Sequence, residues 1–492
     1  MTAFNKKTKT NKTVNHEGAV AYNMSAALEL YSLVVTSSLS NTFYESKDDR
    51  VRRLRELVDK NDPVFVAKLA VYAREEMNLR SIPLVLLVEL AKTHNGDSLV
   101  SNTLARVIQR ADELTEVLAY YCQANDIKTD KLRNVSKQIE KGVAKAFNKF
   151  NEYQFAKYDR ASAISLKDAL FKTHPKPLNE DQVVVFKKIV DGTLDTPFTW
   201  ETELSAKGNT AEVWNGLIDS KKVGYMALLR NLRNIVESGV DNARIETVTN
   251  YLSSPEAVKT SRQLPFRFLS AYRELLKNTS PSTSMILEAL DKAIIASVEN
   301  VKGFDSSQTI AIACDVSGSM QTAVSEKSTV QQFDIGLVLG MILQHKCKSV
   351  VSGMFGNTFK IINLPKSSIL QNVMEFHRRE GEVGYSTNGH LVLDGLIKSN
   401  VHADKVMMFT DCQMWNSTGS SSSMRIAWNE YKKVNPAAKL YLFDLAGHGN
   451  TPVSLEGQDV YLIAGWSDKV FDVLEAYESG SSALNKINEI VI

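Results

Sequence analysis

The chain has 492 residues, of which 43% are hydrophobic and 23% are charged, as expected of a globular protein with more than one domain. It contains no apolar run of about eighteen residues, and its first residues, MTAFNKKTKTNKT, are polar and basic, so the sequence predicts neither a membrane span nor a secretory signal. Four scattered cysteines without a CxxC pair argue against a disulfide framework or a zinc site: Cys122, Cys314, Cys347 and Cys412. We therefore expect a cytoplasmic protein with a disordered basic tail over residues 1–16.

The charge of the chain is unevenly distributed. The formal net charge is only +2, but residues 304–492 carry −4 and the remainder carries +6. The segment 128–176 alone carries +7. A local excess of cations points to a polyanionic partner more strongly than the net charge of the whole chain does.

Residues 17–303 show helical periodicity throughout. Apolar residues recur at spacings of three and four in AVAYNMSAALELYSLVV, VFVAKLAVYAREEM, SLVSNTLARVIQRA and SMILEALDKAIIASV. Asp62 before Pro63 marks a helix start, and Ser81 is a weaker start signal ahead of Pro83. This pattern fits an irregular α-solenoid of stacked helix pairs, and it fits a large non-repetitive helical domain equally well.

After the polar stretch VKGFDSSQ at 301–308, strands and helices alternate, which predicts a second domain over 304–492. The helices predicted there include FDIGLVLGMILQH and HLVLDGLIKS. The strands are short apolar runs, as expected of a buried parallel sheet: TIAIAC, SVVSGMF, TFKIINL, KVMMFT, KLYLFDL and DVYLIA. The alternation predicts a doubly wound parallel sheet, in which ligands bind at the carboxyl ends of the strands.

Oxygen-bearing side chains follow the strands of this domain. The first strand runs into DVSGS at 315–319, the loop GYSTNGH precedes a helix, and KVMMFT is followed directly by an aspartate. Carboxylates and hydroxyls are the ligands that a hard divalent cation prefers. The alternative is that this aspartate and these serines merely cap the next helix. The residues predicted to meet at a metal are Asp315, Ser317, Ser319, Thr387 and Asp411.

The DxSxS pattern resembles the metal-ion-dependent adhesion site of von Willebrand factor A domains. The resemblance implies that Ser317, Ser319 and Thr387 bind Mg²⁺ or Mn²⁺ directly, while Asp315 and Asp411 act largely through water. Ser386 is adjacent to Thr387 and could replace it.

Enzymatic alternatives lack their essential residues. Haloacid dehalogenase phosphohydrolases also place an aspartate at the end of the first strand, but they need a second aspartate as general acid where this chain has Ser317. The chain has no P-loop, no GxSxG and no HExxH, and its histidines are dispersed. We therefore expect no catalytic residues and no enzymatic activity.

Basic residues recur every fourth position at the start of the segment 128–176: Arg133, Lys137, Lys141, Lys145 and Lys149. On one helix this spacing gives a slowly winding stripe that could follow a phosphate backbone. The alternative is a solvated helix face with a few ion pairs, for which Glu140 is available.

Three further segments resemble Ro proteins, the TROVE-domain family: KYDRASAISLKDALFKTHPKP at 157–177, YMALLRNLRNI at 225–235 and LPFRFLSAYREL at 264–275. Their order, followed by an A domain, resembles the Ro arrangement, including that of bacterial Ro proteins. The resemblance implies that the helices form a closed ring of HEAT-like repeats completed by the A domain. It also implies Y RNA-like small RNAs on a basic outer surface and single-stranded 3′ ends of misfolded RNA in the central hole, for RNA quality control.

The same resemblance places RNA-binding residues. Lys157, Arg160, His174 and Lys176 belong to the outer surface, although the family's second basic residue aligns with Ala161 rather than with Arg160. Arg133 and Lys137 resemble basic residues beside the hole, and Lys141 and Lys145 continue their stripe. Arg230, between apolar residues, is interpreted as a structural tie between helices. We expect a monomer that binds RNA and neither DNA nor membranes, with room for an exoribonuclease partner, or alternatively a Mg²⁺-dependent protein-interaction scaffold without an RNA function.

Overall fold

The computed structural model describes residues 12–36, 47–128, 132, 134–159, 162–297, 307–324, 328–414, 423–457, 459–466 and 469–492. The chain divides into two compact units. The sheet unit comprises Met1–Val51 and Asn300–Leu484, and the helical unit comprises Arg52–Glu299 and Asn485–Ile492. The division at 300 lies close to the predicted boundary at 304. The predicted domains differ from these units at both ends of the chain, because residues 17–51 group with the sheet and residues 485–492 with the helices.

The chain begins with three elements of the sheet unit: β1 (Lys12–Val14), β2 (Val20–Asn23) and α1 (Ala26–Val35). Helices then follow one another without a strand among the described residues up to 297: α2 (Lys47–Lys60), α3 (Pro63–Glu75), α4 (Ser81–Thr93), α5 (Leu99–Val107), α6 (Asp112–Ala124), α7 (Lys137–Phe147), α8 (Glu152–Tyr158), α9 (Leu166–Thr173), α10 (Glu180–Asp191), α11 (Trp200–Lys207), α12 (Ala211–Asp219), α13 (Tyr225–Glu237), α14 (Asn242–Ser253), α15 (Pro255–Ser261), α16 (Pro265–Leu275) and α17 (Thr283–Ser297). The predicted helical character of this region is confirmed.

Local signals account for several of these helices. Asp62 caps α3 as predicted, because its carboxylate accepts the backbone N–H groups of Val64 and Phe65, both at 3.0 Å. Ser81 begins α4 without capping it, and its hydroxyl instead donates to Glu116 Oε1 at 2.5 Å. Helices α3, α4 and α5 pack in sequence, and α5 packs closely on α7. A Cβ at Gly142 would lie 2.9 Å from Leu104 Cβ, so only glycine fits this approach.

The remaining elements build the sheet unit. Its strands are β3 (Thr309–Asp315), β4 (Ser349–Phe355), β5 (Phe359–Ile361), β6 (Lys405–Thr410), β7 (Lys439–Asp444), β8 (Asn450–Thr451) and β9 (Val460–Ala464). Its helices are α18 (Gln332–Lys346), α19 (Ile369–Arg379), α20 (His390–Lys398), α21 (Met424–Val434), α22 (Val470–Glu478) and the start of α23 (Ala483–Asn488). None of the helices in the described part of the chain is both long and apolar enough to cross a membrane.

The main sheet has the order β5-β4-β3-β6-β7-β9. All neighbouring strands are parallel except the short edge strand β5, which pairs antiparallel with β4, so the predicted parallel sheet is a mixed one. Continuous apolar runs such as Val406–Phe409 are fully buried because helices cover both faces. The register aligns the ends of β3, β6 and β7, which brings Asp315, Asp411 and Asp444 to one edge.

The N-terminal residues contradict the prediction made for them. Residues 1–11 lie outside the described residues, but Lys12–Val14 is a strand rather than part of a disordered tail. Val20–Asn23, which we predicted to be helical, pairs antiparallel with both β1 and β8. Tertiary pairing therefore overrides the helical periodicity of this short stretch.

Helix α1 covers the carboxyl end of β7. The Tyr31 hydroxyl donates to the Ala464 carbonyl at 3.1 Å, and the Ser32 hydroxyl donates to Asp444. The other carboxylate oxygen of Asp444 accepts the backbone N–H groups of Ala446 and Gly447 at 3.0 and 2.8 Å. The sheet unit is thus completed by a segment that lies far away in sequence.

Candidate metal centre and basic surface

The loop after β3 holds the first part of the predicted metal centre. Asp315 is 1% exposed and Ser317 is fully buried. The Ser317 backbone N–H donates to Asp315 Oδ1 at 2.9 Å, and the Oγ atoms of Ser317 and Ser319 lie 3.3 Å apart. The structure therefore brings the carboxylate and both hydroxyls of the DxSxS pattern together.

The end of β6 contributes the second carboxylate. The Thr410 hydroxyl donates to Asp315 Oδ2 at 2.7 Å, which ties the two strand ends together. Asp411 Oδ1 accepts the backbone N–H of Gln413 at 2.9 Å. Asp411 Oδ2 is buried and has no hydrogen-bond partner among the described residues. A buried anionic oxygen without a donor is costly, which favours a cation or an ordered water beside it.

The loop before α20 reaches the same edge. The Gly318 backbone N–H donates to the Tyr385 carbonyl at 3.0 Å, and the Asn388 N–H donates to the Gly356 carbonyl at 3.2 Å. Thr387, the predicted ligand, is 5% exposed. The alternative, Ser386, is less buried, and its N–H bonds to Asn357 Oδ1. The structure therefore favours Thr387 over Ser386.

The two buried carboxyls have perturbed acidities. Burial raises the pKa of Asp315 to about 6, against hydrogen bonds from Ser317 and Thr410 that oppose the rise. Burial, together with the negative charge of Asp315, raises the pKa of Asp411 to about 7, against hydrogen bonds from Ser319 and the Gln413 backbone that oppose the rise. Among the described residues neither carboxyl has an ion-pair partner, so the fold places two like charges side by side without a cationic side chain.

This donor set fits a hard divalent cation and fits a soft one poorly. Two carboxylates and three hydroxyls offer only oxygen atoms, which Mg²⁺ and Mn²⁺ prefer. No group of three or more histidine, cysteine, aspartate or glutamate side chains that could hold a metal occurs in the described part of the chain. The oxygen atoms that could hold Mg²⁺ at this edge are those of Asp315, Asp411, Ser317, Ser319 and Thr387, and their binding of a metal stays a prediction.

A further tie to this edge was not predicted. Gln413, two residues after Asp411, donates through Nε2 to Asn450 Oδ1 at 3.1 Å and accepts the backbone N–H of His16 at 3.0 Å. Asn15 Nδ2 donates to the Met414 carbonyl at 2.7 Å. The N-terminal segment thus fixes the loop that carries Asp411, and no local sequence signal links residues 15 and 414.

The basic stripe on α7 is shorter than predicted. The helix spans only Lys137–Phe147, and Arg133 lies outside the described residues. Lys149, beyond the helix end, donates to the carbonyls of Ala105 and Ile108 and so caps α5. Burial lowers the pKa of Lys149, in keeping with this structural role.

The remaining lysines of α7 differ in their partners. Lys137 pairs with Glu140 at 2.6 Å, and Lys145 donates to Asn102 Oδ1 at 2.6 Å. Burial opposes ionisation of Glu140, but hydrogen bonds from Lys137 and Lys172 prevail and lower its pKa. Lys141 is exposed and has no partner among the described residues. The solvated-face interpretation thus accounts for Lys137 and Lys145 but leaves the charge of Lys141 uncompensated.

The second basic tract has two exposed residues at the end of α9. His174 ends this helix in a left-handed conformation with φ +47°, and Lys176 follows on the surface. Lys157 lies on α8 and lines a separate cleft in the helical unit. Arg160 and Ala161 lie outside the described residues, so the role of Arg160 stays a prediction.

Comparison with known proteins now identifies the family. A family model described as the TROVE domain matches residues 30–193 and 192–332, and one described as the Ro60 vWA domain matches residues 309–478. The chain belongs to the TROVE-domain family. The resemblance to Ro proteins noted from three short segments is confirmed, and so is the combination of a helical region with an A domain.

Individual TROVE relatives are distant. RNA-binding protein RO60 of Deinococcus radiodurans is 22% identical, and the alignment covers 95% of both chains. The crystal structure of the Ro (Rsr) protein of D. radiodurans matches 93% of this chain and 100% of that one with a TM-score of 0.62 and 20% identity, which supports the fold. Telomerase protein component 1 of mouse and rat is 25% and 26% identical over 44% of this chain, but the alignments span only 11% of those proteins.

The carboxyl pair predicts a pH-dependent stability in the absence of metal. Because folding raises the pKa of both groups above about 4, the free energy of unfolding in EDTA should fall as pH rises from about 4 to about 7. Asp411→Asn removes one of the two charges. The free energy of unfolding of the variant minus that of the parent should be greater at pH 8 than at pH 5 by at least about 1 kcal/mol. Urea unfolding at both pH values measures this difference.

Glu456→Gln is the matched control, since it neutralises an exposed carboxylate of the same unit. It should leave the difference between the two pH values unchanged. If the difference in stability between Asp411→Asn and the parent is the same at both pH values, folding does not raise the pKa values of the two carboxyls.

Proposed function

We propose that this protein is a non-enzymatic RNA-binding scaffold that captures small structured RNA and single-stranded RNA ends for RNA quality control. The observation that carries the proposal is the cationic surplus of the segment 128–176, where Lys141, His174 and Lys176 stand exposed in the structure. The description of the D. radiodurans relative as an RNA-binding protein supports it. Binding would be driven by release of counterions from RNA phosphates.

Two parts of this surface have different roles in the proposal. His174 and Lys176, with Lys157 and Arg160, receive structured small RNA of the Y RNA type. Lys137, Lys141 and Lys145, with Arg133, receive a single-stranded 3′ end. Lys141 is the best placed of the described α7 lysines, because Lys137 must exchange its contact with Glu140 and Lys145 its contact with Asn102 for a phosphate.

The A domain contributes a Mg²⁺ site in this proposal. Ser317, Ser319 and Thr387 would hold the ion, with Asp315 and Asp411 supporting it. Bound Mg²⁺ would supply the positive charge that the carboxyl pair lacks. Asp411 Oδ2, buried without a donor among the described residues, is the observation that favours this assignment.

A second candidate function rests on the same edge of the sheet. Tyr385 is 48% exposed on the loop that bonds to Gly318, so a partner protein could approach the metal there. In that case the A domain would bind a carboxylate of a protein partner and the helices would be a support. Weak RNA binding that does not respond to salt would favour this candidate.

Mg²⁺ should stabilise the protein through Thr387. A ligand that binds only the folded state raises the free energy of unfolding, by about 2.7 kcal/mol when its concentration is a hundred times its Kd. Thr387→Val keeps the shape of the side chain and removes its hydroxyl, so the rise in Tm on adding Mg²⁺ should disappear. Ser386→Ala is the matched control and should keep the full rise. The assignment of Thr387 is wrong if the two variants respond to Mg²⁺ alike.

RNA binding should divide between the two surfaces. Lys137→Ala with Lys141→Ala should weaken binding of a single-stranded RNA, and His174→Ala with Lys176→Ala should weaken binding of a hairpin RNA. Each lysine that contacts a phosphate contributes about 0.7–0.9 to the slope of log K against log salt, so each slope should fall accordingly. Fluorescence anisotropy across a salt series measures both.

Lys259→Ala removes an exposed lysine of α15 and serves as the control for charge alone. If both double variants bind both RNAs equally weakly, RNA binds to a diffuse basic patch and not to two distinct surfaces. Unchanged affinity in both would mean that RNA binds elsewhere.

A further inference from the structure

A cleft of about 580 Å³ opens within the helical unit, between α6, α8, α11 and the start of α13. Its volume lies within the range of about 300–1,000 Å³ that is usual for ligand sites. Five cationic and two acidic side chains line it, together with five aromatic ones: Tyr153, Tyr158, Phe198, Trp200 and Tyr225. Most of these residues are outside the segment to which RNA binding was assigned from the sequence.

One side of the cleft is internally neutralised. Arg80 and Arg110 both donate to Asp112 Oδ2, at 2.8 and 2.9 Å. The Arg110 guanidinium also lies 4.5 Å from the centre of the Tyr158 ring, over its face. These contacts fix the side chains of Arg80 and Arg110 and leave their charge offset by Asp112.

Three other cations of the lining are not neutralised by the fold, and one of them, Lys157, has its ammonium 5.6 Å from the centre of the same Tyr158 ring. Within the described part of the chain, the side chains of Lys157, Lys222 and Arg230 form neither a hydrogen bond nor an ion pair. Arg230 is exposed, so its interpretation as a structural tie between helices is wrong. Burial and the nearby charge of Arg230 together lower the pKa of Arg267, as expected in a positively charged environment. Three uncompensated cations around one cleft favour an anionic ligand.

Exposed aromatic side chains line the same cleft. Phe198 is 38% exposed and Tyr153 is 45% exposed, which is unusual for large aromatic side chains inside a cleft. The Lys222 ammonium lies 5.6 Å from the centre of the Phe198 ring. A cation beside an exposed aromatic face is the combination by which proteins bind single-stranded nucleic acid, with phosphate on the cation and the base on the ring.

The first turn of α13 adds backbone hydrogen-bond donors to the lining of the cleft. Gly224 precedes this helix without a side-chain cap, and the backbone N–H groups of Tyr225 and Met226 have no acceptor among the described residues. The positive end of the helix dipole therefore lies in the lining of the cleft, where it favours an anion. These N–H groups reinforce the three cationic side chains.

We propose that this cleft binds one unpaired nucleotide of an RNA strand. The base stacks on Phe198 and Tyr153, and the phosphate contacts Lys222 and Arg230. A paired base cannot present its face to a ring in this way, so the cleft selects single-stranded over double-stranded RNA. This inference rests on the proposed function and adds a site formed largely by residues 198–230.

The test compares a single-stranded RNA of ten nucleotides with a blunt-ended duplex of the same sequence. One 2-aminopurine in the single strand reports stacking through quenching of its fluorescence. Phe198→Leu keeps an apolar side chain but removes the aromatic face, and should weaken single-strand binding about tenfold and abolish the quenching. Phe198→Trp should retain both. Neither change should affect binding of the duplex.

The contribution of the cationic side chains is tested with the double variant Lys222→Gln and Arg230→Gln. Lys259→Gln is the control. The double variant should lower the salt slope for the single strand by about 0.7 for each phosphate that it no longer binds, whereas the control should not. If the parent protein binds the single strand but Phe198→Leu and the double variant bind it equally well, the cleft assignment is overturned and RNA binding stands. If the parent protein binds neither RNA, the proposed function itself fails. Unfolding curves establish that each variant is folded.

Discussion

Like charges that the fold brings together without a counter-charge are the constraint on which both units depend. In the sheet unit, Asp315 and Asp411 are buried side by side and neither has an ion-pair partner among the described residues. In the helical unit, Lys157, Lys222 and Arg230 line one cleft and likewise have no ion-pair partner among the described residues, although Lys222 and Arg230 are exposed. The buried carboxyls cost folding free energy unless a cation offsets them, and the cations of the cleft offer their charge to an anion, so both mark places where ligands belong.

Much of the sheet unit could be predicted from the sequence. Continuous apolar runs identified the central strands of the main sheet because a strand buried on both faces needs apolar residues at every position, whereas the edge strand β5 carries the exposed Lys360. Once the strands were placed, their common edge brought Asp315 and Asp411 together, whereas Thr387 lies on the loop before α20 that reaches the same edge. Asp62 before Pro63 likewise fixed the start of α3, because capping is decided within one helical turn.

Features that depend on distant pairing could not be predicted. Val20–Asn23 forms a strand because it pairs with Lys12–Val14 and with Asn450–Thr451, which lies more than four hundred residues away. Lys149 followed the spacing of the basic stripe, yet it caps α5 because packing of α5 on α7 brings the Ile108 carbonyl within reach. Phe198 and Lys222 gave only a weak signal in the sequence, since neither belongs to a charge cluster and only the fold places them beside Lys157.

Ultraviolet cross-linking of the protein to the RNA that copurifies with it tests whether the helical unit contacts RNA through its uncompensated cations. Mass spectrometry of the digested complex then identifies the peptides that carry nucleotides. The account predicts adducts on peptides from 137–176 and 198–230, and none on the sheet unit. Adducts confined to residues 309–478, or a purified protein that carries no RNA, would contradict it.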